Sequence, residues 1–211
     1  MNYRYATMDD LPEILPLISK SFIDFPVYAI AFQEKFQSRK QYFSFLHKMH
    51  RVEITPYIQQ RLCYVAVMEG KIVAAALVKS PHFQPTSWLG AIKAGALSLV
   101  MSFWSRNIAK LLQFLSLAKQ DCQHRFSNHS WYLEMLAVSE KMQRKRVGTD
   151  FIEEFIVPEI KRQHGKQLFL ITNTKQNCAF YRKNKFQQFS HKIHLLNRQP
   201  LENWSFVRTL S

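Results

Sequence analysis

Hydrophobic positions along the chain follow two spacings that replace each other repeatedly from one end to the other. Tyr3 to Ala6 predicts a short strand. Thr7 or Asp9 then offers a side-chain oxygen to cap a helix, and Asp10 and Glu13 suit its positive end. Ile14, Leu15, Leu17, Ile18 and Phe22 form its apolar stripe, and Pro16 predicts a bend. Pro26 marks a break, after which Ala29 to His50 reads as a second helical region. Tyr64 to Met68 and Ile72 to Val78 are rich in strand formers around Glu69-Gly70, which predicts a hairpin. Ser80 to Ser87, with Pro81 and Pro85, reads as loop.

Trp88 to Gln120 is helical in pattern and has no Asp or Glu; Lys93, Arg106, Lys110 and Lys119 are its only charges. Beyond a polar connection, Trp131 to Val138 predicts a strand and Gly148 to Gln163 a helix with Phe151, Ile152, Phe155 and Ile156 inward. Leu168 to Thr172 predicts a strand and Gln176 to Asn184 a short helix. Phe186 to Leu195 and Trp204 to Thr209 predict the last strands. This interleaving predicts an α/β or α+β single domain over residues 1–211, one mixed sheet flanked by helices, with a helical insertion at about 88–120. In such sheets ligands bind outside strand C-termini, where neighbouring connections diverge.

Composition narrows the class. With 211 residues, 47% of them hydrophobic and 17 Phe among them, the chain can bury one substantial core and is short for two domains. A formal charge of +14 points to an acidic partner: nucleic acid, an anionic membrane or a phosphorylated cofactor. Charge alone does not choose among them. Cys63, Cys122 and Cys178 are odd in number and far apart, so no disulfide framework follows and a reducing, cytoplasmic setting is expected. The first residues carry no apolar run of signal-peptide kind. Ile92 to Leu117 is apolar but interrupted by Lys93, Arg106, Asn107 and Lys110, which makes a poor membrane span.

Candidate chemistry sits in a strand, a basic turn and a helix: Leu136-Ala137-Val138, then Gln143-Arg144-Lys145-Arg146-Val147-Gly148-Thr149. The first turn of a helix leaves N–H groups without helical partners, at the positive end of its dipole. After a tight turn those amides can converge on a pyrophosphate, with Lys141, Arg144, Lys145 and Arg146 adding charge and Gly148 permitting close approach. A solvated basic turn before an ordinary helix explains the same residues.

The run LAVSEKMQRKRVGT resembles the acetyl-CoA-binding motif of the GNAT superfamily of N-acetyltransferases. Gln143 and Gly148 match their places, whereas Arg146 stands where the first glycine of the motif is usual. A second segment, LFLITNTKQNCAFYRKNKFQQFSH, resembles the later strand–helix–strand of the same family, with Asn177, Phe180, Tyr181 and Phe186 in matching places. Asn184-Lys185 replaces the usual Leu-Gly there, and Asn184 tolerates the left-handed conformation. The resemblance covers most of the chain except about 81–128.

The resemblance implies a mostly antiparallel sheet whose fourth and fifth strands splay apart around the pantetheine arm of acetyl-CoA. It implies that backbone groups of Leu136, Ala137 and Val138 pair with that arm. It implies that the loop Gln143, Arg144, Lys145, Arg146, Val147, Gly148 and Thr149 holds the pyrophosphate, and that Asn177 bonds the pantetheine end. Tyr181 is the expected general acid for the leaving thiolate, whose thiol pKa of about 8.5 makes a proton donor useful. The attacking amine must lose a proton. Strand alternation puts Tyr132, Glu134, Leu136 and Val138 on one face, which makes Glu134 a candidate base or amine anchor; a salt bridge to one of many cations explains it equally.

His124, His129, His191, His194 and Cys122 match no strong metal spacing, so no metal is expected. Trp88 to Gln120 reads as a helical hairpin packed on the sheet with partial lid duty, or as a basic apolar face for peripheral membrane contact. Its lack of acids argues against a strongly cationic acceptor there. The expected function is acetyl transfer to a primary amine of a small molecule or peptide, by direct attack in a ternary complex. The competing expectation is a catalytically degenerate relative that binds CoA, nucleic acid or an anionic membrane through its basic surface. Nucleic acid is disfavoured by the missing basic-aromatic recognition motif.

Overall fold

The computed structural model describes residues 1–85 and 105–210. Seven strands form one sheet in the order β1-β2-β3-β4-β5-β7-β6. They are β1 (Asn2–Tyr5), β2 (Cys63–Met68), β3 (Lys71–Lys79), β4 (Ser130–Val138), β5 (Gln167–Thr172), β6 (Gln187–Leu196) and β7 (Gln199–Thr209). Every neighbouring pair is antiparallel except β4 and β5. The mixed α/β class and the mostly antiparallel sheet are as the sequence implied.

The helices are α1 (Leu11–Phe22), α2 (Pro26–Phe32), α3 (Arg39–Gln59), α4 (Ser105–Gln123), α5 (Val147–Phe151), α6 (Val157–Arg162) and α7 (Lys175–Lys183). A π-helical turn, Ile152–Ile156, joins α5 to α6. Pro158 follows it and cannot supply an N–H to the preceding turn, the kind of gap a π turn absorbs. The helical insertion expected at about 88–120 is seen only from Ser105, since residues 86–104 lie outside the described ones.

The second helical region differs from expectation. It is split into α2 and α3, and α3 runs on to Gln59. Pro26 occupies the first turn of α2, and Ser38 caps α3 by accepting from the Gln41 N–H at 3.3 Å, which gives each helix its own start. Of the two candidate caps, Thr7 rather than Asp9 holds the N-cap place, at the 3-10 turn Met8–Asp10 that leads into α1, and the carboxylate of Asp10 completes the capping box. It accepts from the Thr7 N–H at 2.7 Å and from both arms of Arg4 at 2.6 and 2.7 Å, which holds its pKa down at about 2.

The two faces of the sheet can be told apart by successive residues of β4. Trp131 lies against Ile160 of α6, and the α5–α6 side also takes Tyr3 stacked on Phe151 at 5.5 Å. Tyr132 points the other way, beneath the Lys119 ammonium of α4 at 5.1 Å from its ring centre. On that side α1 and α3 pack together and α4 spans β5, β7 and β6.

Gly165 shows how tightly the first face is packed. A Cβ there would lie 2.3 Å from Ile160 and 2.6 Å from the Trp131 ring. Gly165→Ala should therefore lower unfolding free energy by about 2 kcal/mol, the scale of overpacking in a filled core, read from the denaturant midpoint at constant slope. A midpoint unchanged within error would contradict this packing.

Candidate active site

The site begins where the sheet opens. β4 and β5 pair at only three positions, Ser130↔Gln167, Trp131↔Leu168 and Tyr132↔Phe169. β4 stays paired with β3 as far as Val138, and β5 stays paired with β7 as far as Thr172, so each strand continues without the other. The register of β3 against β4 slips where Leu77 faces Met135 and Val78 faces Leu133, leaving Glu134 as an extra residue. Such a bulge bends its strand and increases local twist, and it lies immediately beyond the last β4–β5 pair.

The bulge also corrects the expected alternation. Glu134 stays on the α4 side with Tyr132, as its ion pair with Lys119 shows. Val138 instead lies on the α5 side, with its Cγ2 3.4 Å from where a Gly148 Cβ would be. Slipping the register by one residue moves the later side chains to the other face.

Beyond β4 the chain makes the basic turn. Gln143 folds back to donate from Nε2 to the Val138 carbonyl at 3.2 Å. Arg144 and Arg146 take φ of 62° and 65°, the left-handed region that favours glycine. The Asp150 N–H makes the first helical bond, to Arg146 O at 2.9 Å, so the N–H groups of Val147, Gly148 and Thr149 lack helical acceptors. Arg146 thus keeps the backbone shape of the glycine it replaces. Its side chain is 75% exposed and turns toward Asp150, with Nε–Oδ1 at 3.7 Å. Gly148 is needed for closeness, since a Cβ there would lie 3.2 Å from Phe180.

These parts line a groove of about 350 Å³, which includes Leu136, Val138, Gln143, Arg144, Arg146 and the Val147-Gly148-Thr149 turn. Asn177 and Tyr181 of α7 close its far end. Ala137 is 1% exposed and paired with Ala75, so its side chain belongs to the core. Lys145 is exposed at the turn and is not among the groove residues.

α7 starts at Thr174, whose Oγ1 accepts from the Asn177 N–H at 3.2 Å. Asn177 Nδ2 donates to Thr172 Oγ1 at 3.2 Å, which fixes the carboxamide and leaves its oxygen for a ligand. At the other end Lys185, not Asn184, takes the left-handed φ of 66°. Asn184 is instead buried and donates to Phe180 O at 2.8 Å. Tyr181 packs on Phe186 and Phe180 at 5.5 and 5.3 Å between ring centres, and burial raises its pKa well above that of a free phenol. It is a protonated hydroxyl at neutral pH.

A second cavity, about 70 Å³, opens on the opposite side of the gap and shares Leu136, Asn177 and Tyr181 with the groove. Phe22, Phe25 and Val27 give it an apolar wall, and Leu115 and Lys119 of α4 a roof. Two carboxylates line it, Glu134 and Glu53. Glu53 was missed in the sequence, because α3 was read only to His50 and one glutamate on a helix carries no motif. Burial and the nearby charge of Glu134 push its pKa up to about 7, against a smaller lowering by Lys119. Of the histidines weighed in the sequence, His191 stacks on Trp204 at 4.7 Å and His194 meets Phe114 at 6.0 Å.

A sheet split between β4 and β5, an amide-rich turn at its mouth and a buried phenol between two cavities are the arrangement that the resemblance to acyl-CoA-dependent N-acyltransferases implied. The Acetyltransferase (GNAT) family profile matches residues 30–186, well over half of the chain. This chain belongs to the GNAT family and is an N-acetyltransferase, and the family uses acetyl-CoA as co-substrate. No curated protein sequence matches it.

Among solved structures, it is similar to a Drosophila melanogaster polyamine N-acetyltransferase, with 15% identity, TM-score 0.65 and 99% of each chain covered. It is also similar to a mosquito arylalkylamine N-acetyltransferase-like protein, with 13% identity, TM-score 0.66 and 99% of each chain covered. A ribosomal-protein-alanine N-acetyltransferase from Brucella melitensis shares the fold at 15% identity, TM-score 0.59 and 100% of each chain covered.

Two substitutions separate backbone shape from charge at the turn. Arg146→Gly should keep acetyl-CoA affinity within about threefold, because the left-handed backbone is retained and the guanidinium faces Asp150 and solvent. Gly148→Val should weaken it at least tenfold by filling the space before Phe180. Calorimetric titration with acetyl-CoA reads both, and the reverse order would show that charge rather than amide geometry holds the diphosphate.

Proposed function

We propose that this chain transfers the acetyl group of acetyl-CoA to the primary amine of a small acceptor with an apolar or aromatic body, by direct attack in a ternary complex. The carrying observation is that a groove and a smaller cavity meet at Leu136, Asn177 and Tyr181, on opposite sides of one gap in the sheet. The groove fits the cofactor because its mouth offers unpaired amides and space that a Cβ at Gly148 would fill. The amide turn, with the Arg146 backbone at its start, and the cation Arg144 would hold its diphosphate, the free β4 edge at Leu136 and Val138 its pantetheine arm, and Asn177 the end of that arm. When bound, acetyl-CoA supplies the activated acyl group.

Acceptor chemistry follows from the second cavity. Phe22, Phe25 and Val27 suit an apolar body, and a second cation would be desolvated against them. Glu134 would anchor the ammonium beside Lys119, and Tyr181, kept protonated by burial, would donate to the leaving thiolate. The similar structures named for polyamine and arylalkylamine acetylation support an amine acceptor in general terms. Three buried, unpaired cysteines support a reducing, cytoplasmic setting.

An amine panel with free CoA thiol as readout tests the reading. Aryl and alkyl monoamines should outpace diamines. Tyr181→Phe should lower kcat about 100-fold while acetyl-CoA affinity stays nearly unchanged. Full activity in that variant would remove the phenol from the chemistry, and no thiol release with any amine would sink the proposal.

A further inference from the structure

Resting on that acetyltransferase reading, we propose that Glu53 of α3 accepts the proton of the acceptor's ammonium, while the adjacent Lys119–Glu134 pair positions the amine. Both carboxylates line the smaller cavity, but their surroundings differ. Glu134 is committed to the Lys119 ammonium and faces the Tyr57 phenol. Glu53 has no hydrogen bond and no ion pair among the described residues. A carboxylate paired with a cation is a weak base, whereas one buried beside another carboxylate and without an ion pair of its own gains more by taking a proton.

The groups around Glu53 leave it no competitor. Tyr28 of α2, Tyr57 of α3 and Tyr132 of β4 are phenols whose pKa values burial raises, so they are neutral and can donate but not accept. His50, one turn earlier on α3, donates to or accepts from Ser19 at 3.1 Å, and burial lowers its pKa to about 3. Lys119 of α4 and Glu134 of β4 are the charged neighbours, and they face each other. Burial and Glu134 together raise the Glu53 pKa to about 7, near the optimum for a base that works at neutral pH.

The step balances as follows. The ammonium gives one proton to the Glu53 carboxylate, and the nitrogen lone pair forms the N–C bond. The C–S bond breaks with its pair going to sulfur, which takes the Tyr181 proton. The second proton of the attacking nitrogen returns to the tyrosinate, and the proton on Glu53 leaves to water.

The test uses 2-phenylethylamine and the much less basic 2,2,2-trifluoroethylamine as acceptors for the full chain. For the wild type with 2-phenylethylamine, kcat/KM should rise with pH to about 7 and then level, because Glu53 works only when ionised. Glu53→Gln should lose about 100-fold at pH 7 with acetyl-CoA binding intact, and its rate should keep rising with the free-amine fraction. Its deficit should shrink with trifluoroethylamine, which carries little proton to remove. Glu134→Gln should raise KM and move the levelling below pH 7, because the Glu134 charge helps to raise the Glu53 pKa and Lys119 opposes it.

A second readout needs no turnover. Calorimetry of 2-phenylethylamine binding to the CoA-loaded wild type in two buffers should show proton release at pH 7 and none at pH 9. This holds the proposal to account even where Glu53→Gln fails to fold. Wild-type profiles in Glu53→Gln, or no buffer dependence, would overturn the role of Glu53 alone. No thiol release from the wild type with any amine would overturn the acetyltransferase reading with it.

Discussion

Everything at the site depends on β4 and β5 parting after three residue pairs. Had they continued, their ladder would have consumed the backbone edge of Leu136 and Val138, and the groove and the cavity would not exist. The bulge at Glu134 supplies the physical reason for the parting. It adds twist to β4 two positions after the last shared pair, while β3 and β7 hold the outer edges of the two strands. An open edge inside a sheet leaves N–H and C=O groups that want a partner. An extended ligand with amide groups of its own meets that requirement as a strand would.

The turn at the mouth solves its own problem with few glycines. Eight residues other than glycine take positive φ in the described chain, among them Arg144, Arg146 and Lys185. Each such residue costs about 1–2 kcal/mol relative to the right-handed region, so the surroundings must hold it. Here α5 is fixed below the turn by Phe151 and Ile152, both fully buried. The next helical turn is tied to β7 by Glu153, which receives Arg208 through two bonds at 2.7 and 2.9 Å. Arg208 also donates to Asn184 O at 3.2 Å, joining the end of α7 to the same anchor. The strained turn therefore rests on a rigid base, and its amides face the groove before any ligand arrives.

Much of this was legible in the chain because the cofactor side uses short-range signals. A strand, a turn and a helix start are consecutive in sequence, and Asn177, Phe180 and Tyr181 lie on one helix, so spacing alone carries them. The bulge was not legible, since alternation around Glu134 reads normally and only pairing with β3 reveals the extra residue. The split of α2 from α3 was also missed, because the Ser38 cap lies within a run that otherwise reads as helix. Glu53 was beyond reach for a different reason. It meets Glu134 and Lys119 only through packing of α3, β4 and α4, and no local pattern reports that meeting.

That meeting explains why a single fold can take different acceptors. In the proposed reaction the sheet, the amide turn and Tyr181 would handle the part common to any amine, whereas α1, α2, α3 and α4 wall the cavity assigned to the acceptor. Lys119 comes from α4, the part of the chain with the least family signal, yet its contact decides the electrostatics of the cavity. Two carboxylates and one ammonium leave one net negative charge, enough for one ammonium head and not for two. Because the cation sits on Glu134, the environments of the two acids differ: one is ion-paired, while burial and its neighbour's charge raise the pKa of the other. Moving that one cation to Glu53 would exchange the roles of the two acids without altering the fold.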